Sequence, residues 1–106
     1  MAFTEERKLE LESRYILDFE RLLATRARRD CLLAGWATNL LRRNDSRAYL
    51  QELNDIAIGT PTDDDLVAKL LRDFDLAGIK ISKDDLARTM HEMMFEAAEE
   101  LDSGRT

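Results

Sequence analysis

The sequence predicts an all-α fold: a four-helix bundle with a long N-terminal helix that partly overhangs it. The 106-residue chain has only four Gly and one Pro, the residues that most weaken helix interiors. Apolar residues recur at helical spacing, and no alternating strand pattern of useful length occurs. Three breaks, at 44–46, 59–61 and Gly78, divide the chain into helices predicted over 4–43, 46–58, 62–77 and 82–101.

The first predicted helix is longer than its own bundle. At 1.5 Å per residue it reaches about 60 Å, whereas the other three reach only about 20–30 Å. A compact domain of this size has a radius of gyration near 13 Å, roughly. One end of the helix must therefore overhang, bend or fray.

Two apolar patches share one face of this helix. A polar segment with Arg26, Arg29 and Asp30 separates them, and burying those charges is costly unless they are paired. We expect Arg26 to pair with Asp30, four residues on. Arg28 and Arg29 are left open as an anion or partner contact. The N-terminal patch is Leu9, Leu11, Tyr15, Ile16, Phe19, Leu22 and Leu23, and the second is Leu33, Trp36, Ala37, Leu40 and Leu41.

The second patch is expected inside the bundle, where the shorter helices supply matching faces. Each of them carries apolar residues at three- and four-residue spacing. Thr62 and Ser82, each followed three residues later by Asp, predict capping boxes at the last two helices. Gly78 predicts a left-handed helix end. The matching faces are Tyr49, Leu53, Ile56 and Ala57; then Leu66, Val67, Leu70, Leu71 and Phe74; then Leu86, Met90, Met93, Met94, Ala97 and Leu101.

Charge limits the classes of partner. Residues 1–45 carry nine Lys/Arg against eight Asp/Glu, and residues 46–106 carry seven against fourteen, so +1 and −7 give the net −6. An acidic surface repels phosphates, which disfavours nucleic acid. No apolar run approaches membrane length, so we expect no direct membrane insertion. The single cysteine and the absence of a secretory signal favour the cytoplasm.

Catalysis, a metal site and a cofactor are not expected. His91 lacks converging ligands, and Cys31 has no histidine at helical spacing to activate it. The run 63–65 lacks the glycine and distant glutamate of a calcium loop, and better fits helix capping. No glycine-rich phosphate loop occurs. We predict that the protein is not an enzyme and acts by docking.

Residues along nearly the whole chain fall at the spacing of a known family, and the chain resembles that family. The first helix has Arg7, Leu11-Glu12, Arg14-Tyr15 and Asp18, followed by Ala27-Arg28-Arg29-Asp30, Leu32-Leu33 and Trp36-Ala37. The second half has Asp63, Asp65, Lys69, Asp73, Asp75, Gly78, Ser82, Arg88, Met90 and Glu92. With these residues the chain resembles the alphaproteobacterial zeta-subunit family of ATP synthase inhibitors.

The resemblance implies a four-helix protein that inhibits the F-type ATP synthase. Its segment 1–23 would enter an interface between the alpha and beta subunits of the catalytic head and reach the gamma shaft, and 24–106 would form the bundle. The resemblance and the amphipathic face together give the expected partner contacts: Phe3, Arg7, Leu9, Leu11, Arg14, Tyr15, Ile16 and Phe19.

The departures from the family lie in that segment. Arg7-Lys8 stands where the family has Arg-Glu, and Leu23-Ala24 stands where it has Phe-Lys. The alternative hypothesis is therefore a non-inhibitory bundle that self-associates or senses a ligand. The protein is expected to be monomeric or weakly self-associating.

Overall fold

The computed structural model describes the backbone of residues 5–58 and 62–103, and the side chains of 18–58 and 62–102. These residues form four helices, α1 (Glu5–Leu40), α2 (Ser46–Ala57), α3 (Asp64–Leu76) and α4 (Lys83–Ser103), with no strand among them. α1 packs mainly against α4 and α2, while α3 packs against α2 and α4. The prediction of an all-α four-helix bundle is confirmed.

α1 is one continuous helix of 36 residues. It ends three residues earlier than predicted because Arg42 adopts a left-handed backbone with φ 58°. The Arg43 N–H then donates to the Thr38 carbonyl at 2.8 Å. This bond across five residues is the one that closes a left-handed helix end. The predicted start at Thr4 lies outside the described residues.

The helix starts are only partly as predicted. At α4 the Asp85 N–H donates to Ser82 Oγ at 3.0 Å, so the serine cap is confirmed. At α3 the capping box on Thr62 is wrong, because the cap residue is Asp63 and it makes no side-chain cap bond. Gly78 does adopt the left-handed backbone, with φ 77°. The predicted break at 59–61 lies outside the described residues.

The core is built from the second patch of α1 and the matching faces of the other helices, except that Leu40 of that patch is 38% exposed, against the prediction. Leu33 and Ala37 are fully buried, and the half-buried Trp36 meets Phe74 edge-to-face at 5.5 Å between ring centroids. Met90 is buried, and Met93 and Met94 are half-buried. The remaining core side chains are Ala34, Tyr49, Leu53, Leu66, Leu70 and Leu86.

A polar network ties α2 and α3 together inside this bundle. Lys69 is 8% exposed, and its Nζ donates to Glu52 and Asp73 at 3.0 Å each. The Tyr49 hydroxyl donates to Asp73 at 2.7 Å. The Arg43 guanidinium and the Lys69 ammonium lie over the Tyr49 ring, 4.9 and 5.1 Å from its centroid. The buried lysine is therefore fully paired, as a buried charge must be.

Candidate functional site

The end of α4 marks where α1 leaves the bundle. Arg21 pairs with Asp102 at 3.8 Å, and Arg28 pairs with Glu100. α4 ends at Ser103, so the part of α1 before Arg21 extends beyond it. We call α1 residues 18–28 with α4 residues 96–102 the open end of the bundle. The predicted overhang of the first helix is confirmed.

Three large apolar side chains are exposed at the open end. Phe19 is 54% exposed, Leu22 47% and Leu23 49%. We call these three residues the open patch. At 100° per residue they lie on the same face of α1 as the fully buried Leu33 and Ala37. The apolar stripe of α1 therefore continues on the same face of the helix beyond the core, where its side chains become exposed.

A group of paired charges closes the core beneath the open patch. We call Arg26, Arg29, Asp30 and Asp63 the ionic collar. The buried Arg29 donates from Nε to Asp30 at 2.8 Å, and from its two terminal nitrogens to Asp63 at 3.0 Å each. Arg26 donates to the same Asp63 carboxylate at 3.0 Å. The Asp63 carboxylate thus bridges α1 to the start of α3, and this use explains why it does not cap that helix.

The collar shifts its two acids in opposite directions. The hydrogen bond from Arg29 lowers the pKa of Asp63 below its usual value. Burial raises the pKa of Asp30, although the Arg29 charge opposes that change. Arg29 therefore pairs with two carboxylates in different environments. The ionised form of Asp63 is favoured, whereas burial disfavours the ionised form of Asp30.

The pairing predicted for Arg26 is wrong. Its ion pair is with Asp63, 37 residues away, and not with Asp30 on the next turn. The sequence leaves Arg29 open as an anion or partner contact, and in this structure its donors are directed at Asp30 and Asp63. Arg28 lies on the surface, paired with Glu100. A partner contact by either residue stays a prediction.

The predicted partner-binding residues lie on or before the overhang. Phe3 lies outside the described residues. Phe19 is described and exposed. The rest lie on the described backbone of α1, but their side chains lie outside the described ones: Arg7, Leu9, Leu11, Arg14, Tyr15 and Ile16. Their binding roles stay predictions.

A cavity of about 340 Å³ lies beside the collar, between α1, α3 and α4. Its charged lining includes Arg26, Arg29 and Asp63, so its two arginines already have a carboxylate partner. His91, also in the lining, is exposed and meets Phe95 edge-to-face at 5.0 Å. In the part of the chain that the structure describes, no group of three metal-binding side chains forms.

The sequence does not predict two features, one on α4 next to the open end and one in the network between α2 and α3. Phe95 is 63% exposed on α4, although an apolar residue in an amphipathic helix is usually assigned to the core. Lys69 is buried, and only its four-residue spacing from Asp73 could have indicated a pair. Neither feature carries a strong local signal in sequence.

Comparison with known proteins identifies the family of this chain. Within the described residues, no helix is both long and apolar enough to cross a membrane. No individually curated protein matches the chain significantly. A family model described as ATPase inhibitor subunit zeta matches residues 1–100, which is nearly the whole chain. The chain therefore belongs to the ATPase inhibitor subunit zeta family.

Proposed function

We propose that this protein inhibits the F-type ATP synthase by inserting the overhanging part of α1 into its catalytic head. The observation that carries the proposal is that α1 continues past the end of α4 with its apolar face exposed at Phe19, Leu22 and Leu23. An amphipathic helix with an uncovered stripe is suited to a groove on a partner. Family membership supplies the partner, because the family is one of ATPase inhibitor subunits.

The inserted segment is residues 1–23, and the bundle of residues 24–106 remains outside. The helical part of this segment runs from Glu5 to Leu23 and would reach about 28 Å into the head at 1.5 Å per residue. The bundle is too wide to follow a single helix into a groove, so it limits the depth of insertion. The segment would lie between an alpha and a beta subunit and contact the gamma shaft, which blocks rotation during hydrolysis.

The roles of the contact residues follow from their chemistry. Leu9, Leu11, Tyr15, Ile16 and Phe19 supply the apolar face that a partner's groove removes from water. Arg7 and Arg14 supply donors for carboxylates on the partner. Phe3 would precede this face at the entering end. The protein is proposed to work at the cytoplasmic face of the membrane that holds the synthase.

A titration of ATP hydrolysis by the purified catalytic head tests the proposal. The full chain should inhibit saturably, and a version lacking residues 1–19 should not. Phe19→Asp in the full chain should weaken inhibition, because it places a charge in the apolar contact. Leu76→Ser is the matched control, since Leu76 is 80% exposed on α3, away from the open end. Circular dichroism should show that each variant keeps its helices.

The alternative function is a bundle that self-associates or senses a ligand without inhibiting. The open patch and the cavity beside the ionic collar are the observations that favour it. Sedimentation equilibrium over a wide range of protein concentration separates the two. Failure of the intact, folded chain to inhibit, together with mass that rises with concentration, would replace the first proposal with this one.

A further inference from the structure

Two opposite faces of α1 have different surroundings where the helix leaves the bundle. The open patch lies on one face and is exposed. The other face packs against the end of α4, where Arg21 pairs with Asp102 and Arg28 pairs with Glu100. Arg21, Ala24 and Arg28 share this second face by their three- and four-residue spacing, and we call them the back face of α1. A cavity of about 390 Å³ between the two helices there is lined by Arg21, Ala24, Thr25, Ala98, Leu101 and Asp102.

The pair of helices at the back face is about twice as wide as α1 alone. A helix with its side chains is about 10–12 Å across, and packed helices lie about 8–10 Å apart. A groove that fits around one helix therefore cannot close around both. Because Asp102 lies beside Arg21, such a groove can surround α1 only up to about residue 20.

The sequence of the back face changes at the same level. At 100° per residue Leu17 lies on this face, one turn before Arg21 and opposite the N-terminal patch. Leu17 is apolar, whereas Arg21 and Arg28 are charged and pair with α4. Apolar residues on opposite faces are typical of a helix that is surrounded. The back face therefore changes from an apolar residue before the end of α4 to paired arginines beside it.

We infer that the last turn of α4 is a depth stop for the inhibitory helix. The catalytic head surrounds α1 up to about residue 20, and the end of α4 then meets the rim of the groove. At the mouth of the groove the head contacts Leu22 and Leu23 of the open patch, while the back face stays against α4. The inference rests on the proposed function and adds the element that fixes how far the segment enters.

Single cysteines on the back face test the inference in the complex of the full chain with the purified catalytic head. Cys31, which is exposed and is the only cysteine, is first changed by Cys31→Ser. Leu17→Cys then probes the back face before the stop, and Ala24→Cys probes it beside the stop. The rate of reaction with a small maleimide is followed on this chain by mass spectrometry, with the head absent and with the head in excess.

The two back-face positions should behave differently. Leu17→Cys should react at least about tenfold more slowly in the complex, because a groove that surrounds the helix excludes the reagent. Ala24→Cys should slow by less than about twofold, because Ala24 is exposed beside the cavity and remains outside the groove. Leu22→Cys, on the open patch, should be protected like Leu17→Cys, since the head reaches that level on the other face.

Equal protection of Leu17→Cys and Ala24→Cys would overturn the inference, because the groove would then enclose α1 past the end of α4. Unchanged reactivity of Leu17→Cys would also overturn it, since the head would then contact a single face throughout. Either result can occur in a chain that inhibits, and would leave the proposed function standing. A chain that neither binds nor inhibits would remove both.

Removal of the stop gives a second test. In a chain that lacks residues 99–106, Ala24→Cys should become protected by about tenfold, because α1 can enter about one turn further before the start of α3, held to Arg26 by Asp63, meets the rim. The matched control lacks only residues 104–106 and keeps the whole of α4, so its Ala24→Cys should react as in the full chain.

Circular dichroism checks that both shortened chains keep their helices, and the first test does not depend on either truncation. If Ala24→Cys stayed reactive in the folded chain without residues 99–106, the last turn of α4 would not be what limits insertion. The inference would then be wrong.

Discussion

The two halves of α1 have the same kind of apolar stripe, but the stripe is buried in the C-terminal half and exposed in the N-terminal half. Leu33, in the C-terminal half, is fully buried, whereas Leu22, on the same face eleven residues earlier, is 47% exposed. The difference is in the cover and not in the helix, because the 12, 13 and 21 residues of α2, α3 and α4 cannot span the 36 of α1. Periodicity therefore specifies a face, and the lengths of the other elements decide how much of it becomes core.

The largest expected effect is at Leu33. Leu33→Ala should lower the free energy of unfolding by about 2–5 kcal/mol, because it removes buried methyl groups and leaves a cavity. Leu22→Ala should cost less than about 1 kcal/mol, since the side chain is already half in water. Urea denaturation followed by circular dichroism measures both. Equal losses would show that the open patch is covered in solution, and the comparison would fail.

The ionic collar marks the boundary between the two halves. Asp63→Ala should destabilise the bundle by about 1–3 kcal/mol, because it leaves the buried Arg29 with Asp30 as its remaining partner. Asp64→Ala, an exposed neighbour at the same helix start, is the control. Hydrogen exchange should show faster opening of the start of α3 in the first variant. No change in exchange there would contradict a bridging role for Asp63.

Low pH should destabilise mainly the bundle around the covered, C-terminal half of α1, because the paired carboxylates lie there. Hydrogen bonds from Tyr49 and Lys69 lower the pKa of Asp73 against the opposing effect of its burial, and Arg29 lowers that of Asp63. A lowered folded pKa gives stability that is present above the unfolded value, near 3.9, and is lost as pH falls through the folded pKa. Protonation of Asp30, with its raised pKa, opposes part of that loss.

We therefore expect the melting temperature to fall as pH drops below about 4. Asp73→Asn should make this fall of the melting temperature at low pH less steep, because the group that titrates is gone. Asp75→Asn, on the same helix, should keep the wild-type pH dependence. An equally steep fall in Asp73→Asn would show that the network around Tyr49 does not control stability in acid.

The smallest expected effect is at the exposed ion pair between Arg21 and Asp102, near the end of α4. Arg21→Ala should change the free energy of unfolding by less than about 0.5 kcal/mol, because Arg21 and Asp102 are both more than half exposed. Exchange at the end of α4 should still rise slightly. A loss above 1 kcal/mol, roughly, would mean that the pair is shielded from water and that the open end is more closed than described.

The fold was predictable because its signals are local. Gly78, Ser82 and the apolar spacing of α3 and α4 each act within a few residues, so the sequence contains them directly. The overhang was predictable from lengths alone. The family was recognisable from sustained register, and the match over residues 1–100 confirms it.

What could not be predicted depends on contacts between distant residues. Arg26 meets Asp63 across 37 positions, and no local rule ranks that pair above Asp30. The same contact engages the Asp63 carboxylate, and α3 begins at Asp64 with Asp63 as its cap residue, not at Thr62 as predicted. Arg42 takes a left-handed backbone that a non-glycine residue seldom adopts. The candidate site was located by the amphipathic face, but the point at which α1 leaves the bundle depends on where α4 ends beside it.

The overhang has a consequence for handling the protein in solution. The molecule measures 62 × 30 × 23 Å with a radius of gyration of 17.4 Å, against roughly 13 Å for a compact chain of this length. An elongated particle meets more frictional drag than a sphere of equal mass. A 12.2 kDa monomer of this shape should elute early in gel filtration, at the position of a larger globular protein. Elution alone would mistake its length for a dimer, so its mass in solution should be measured by sedimentation equilibrium or light scattering.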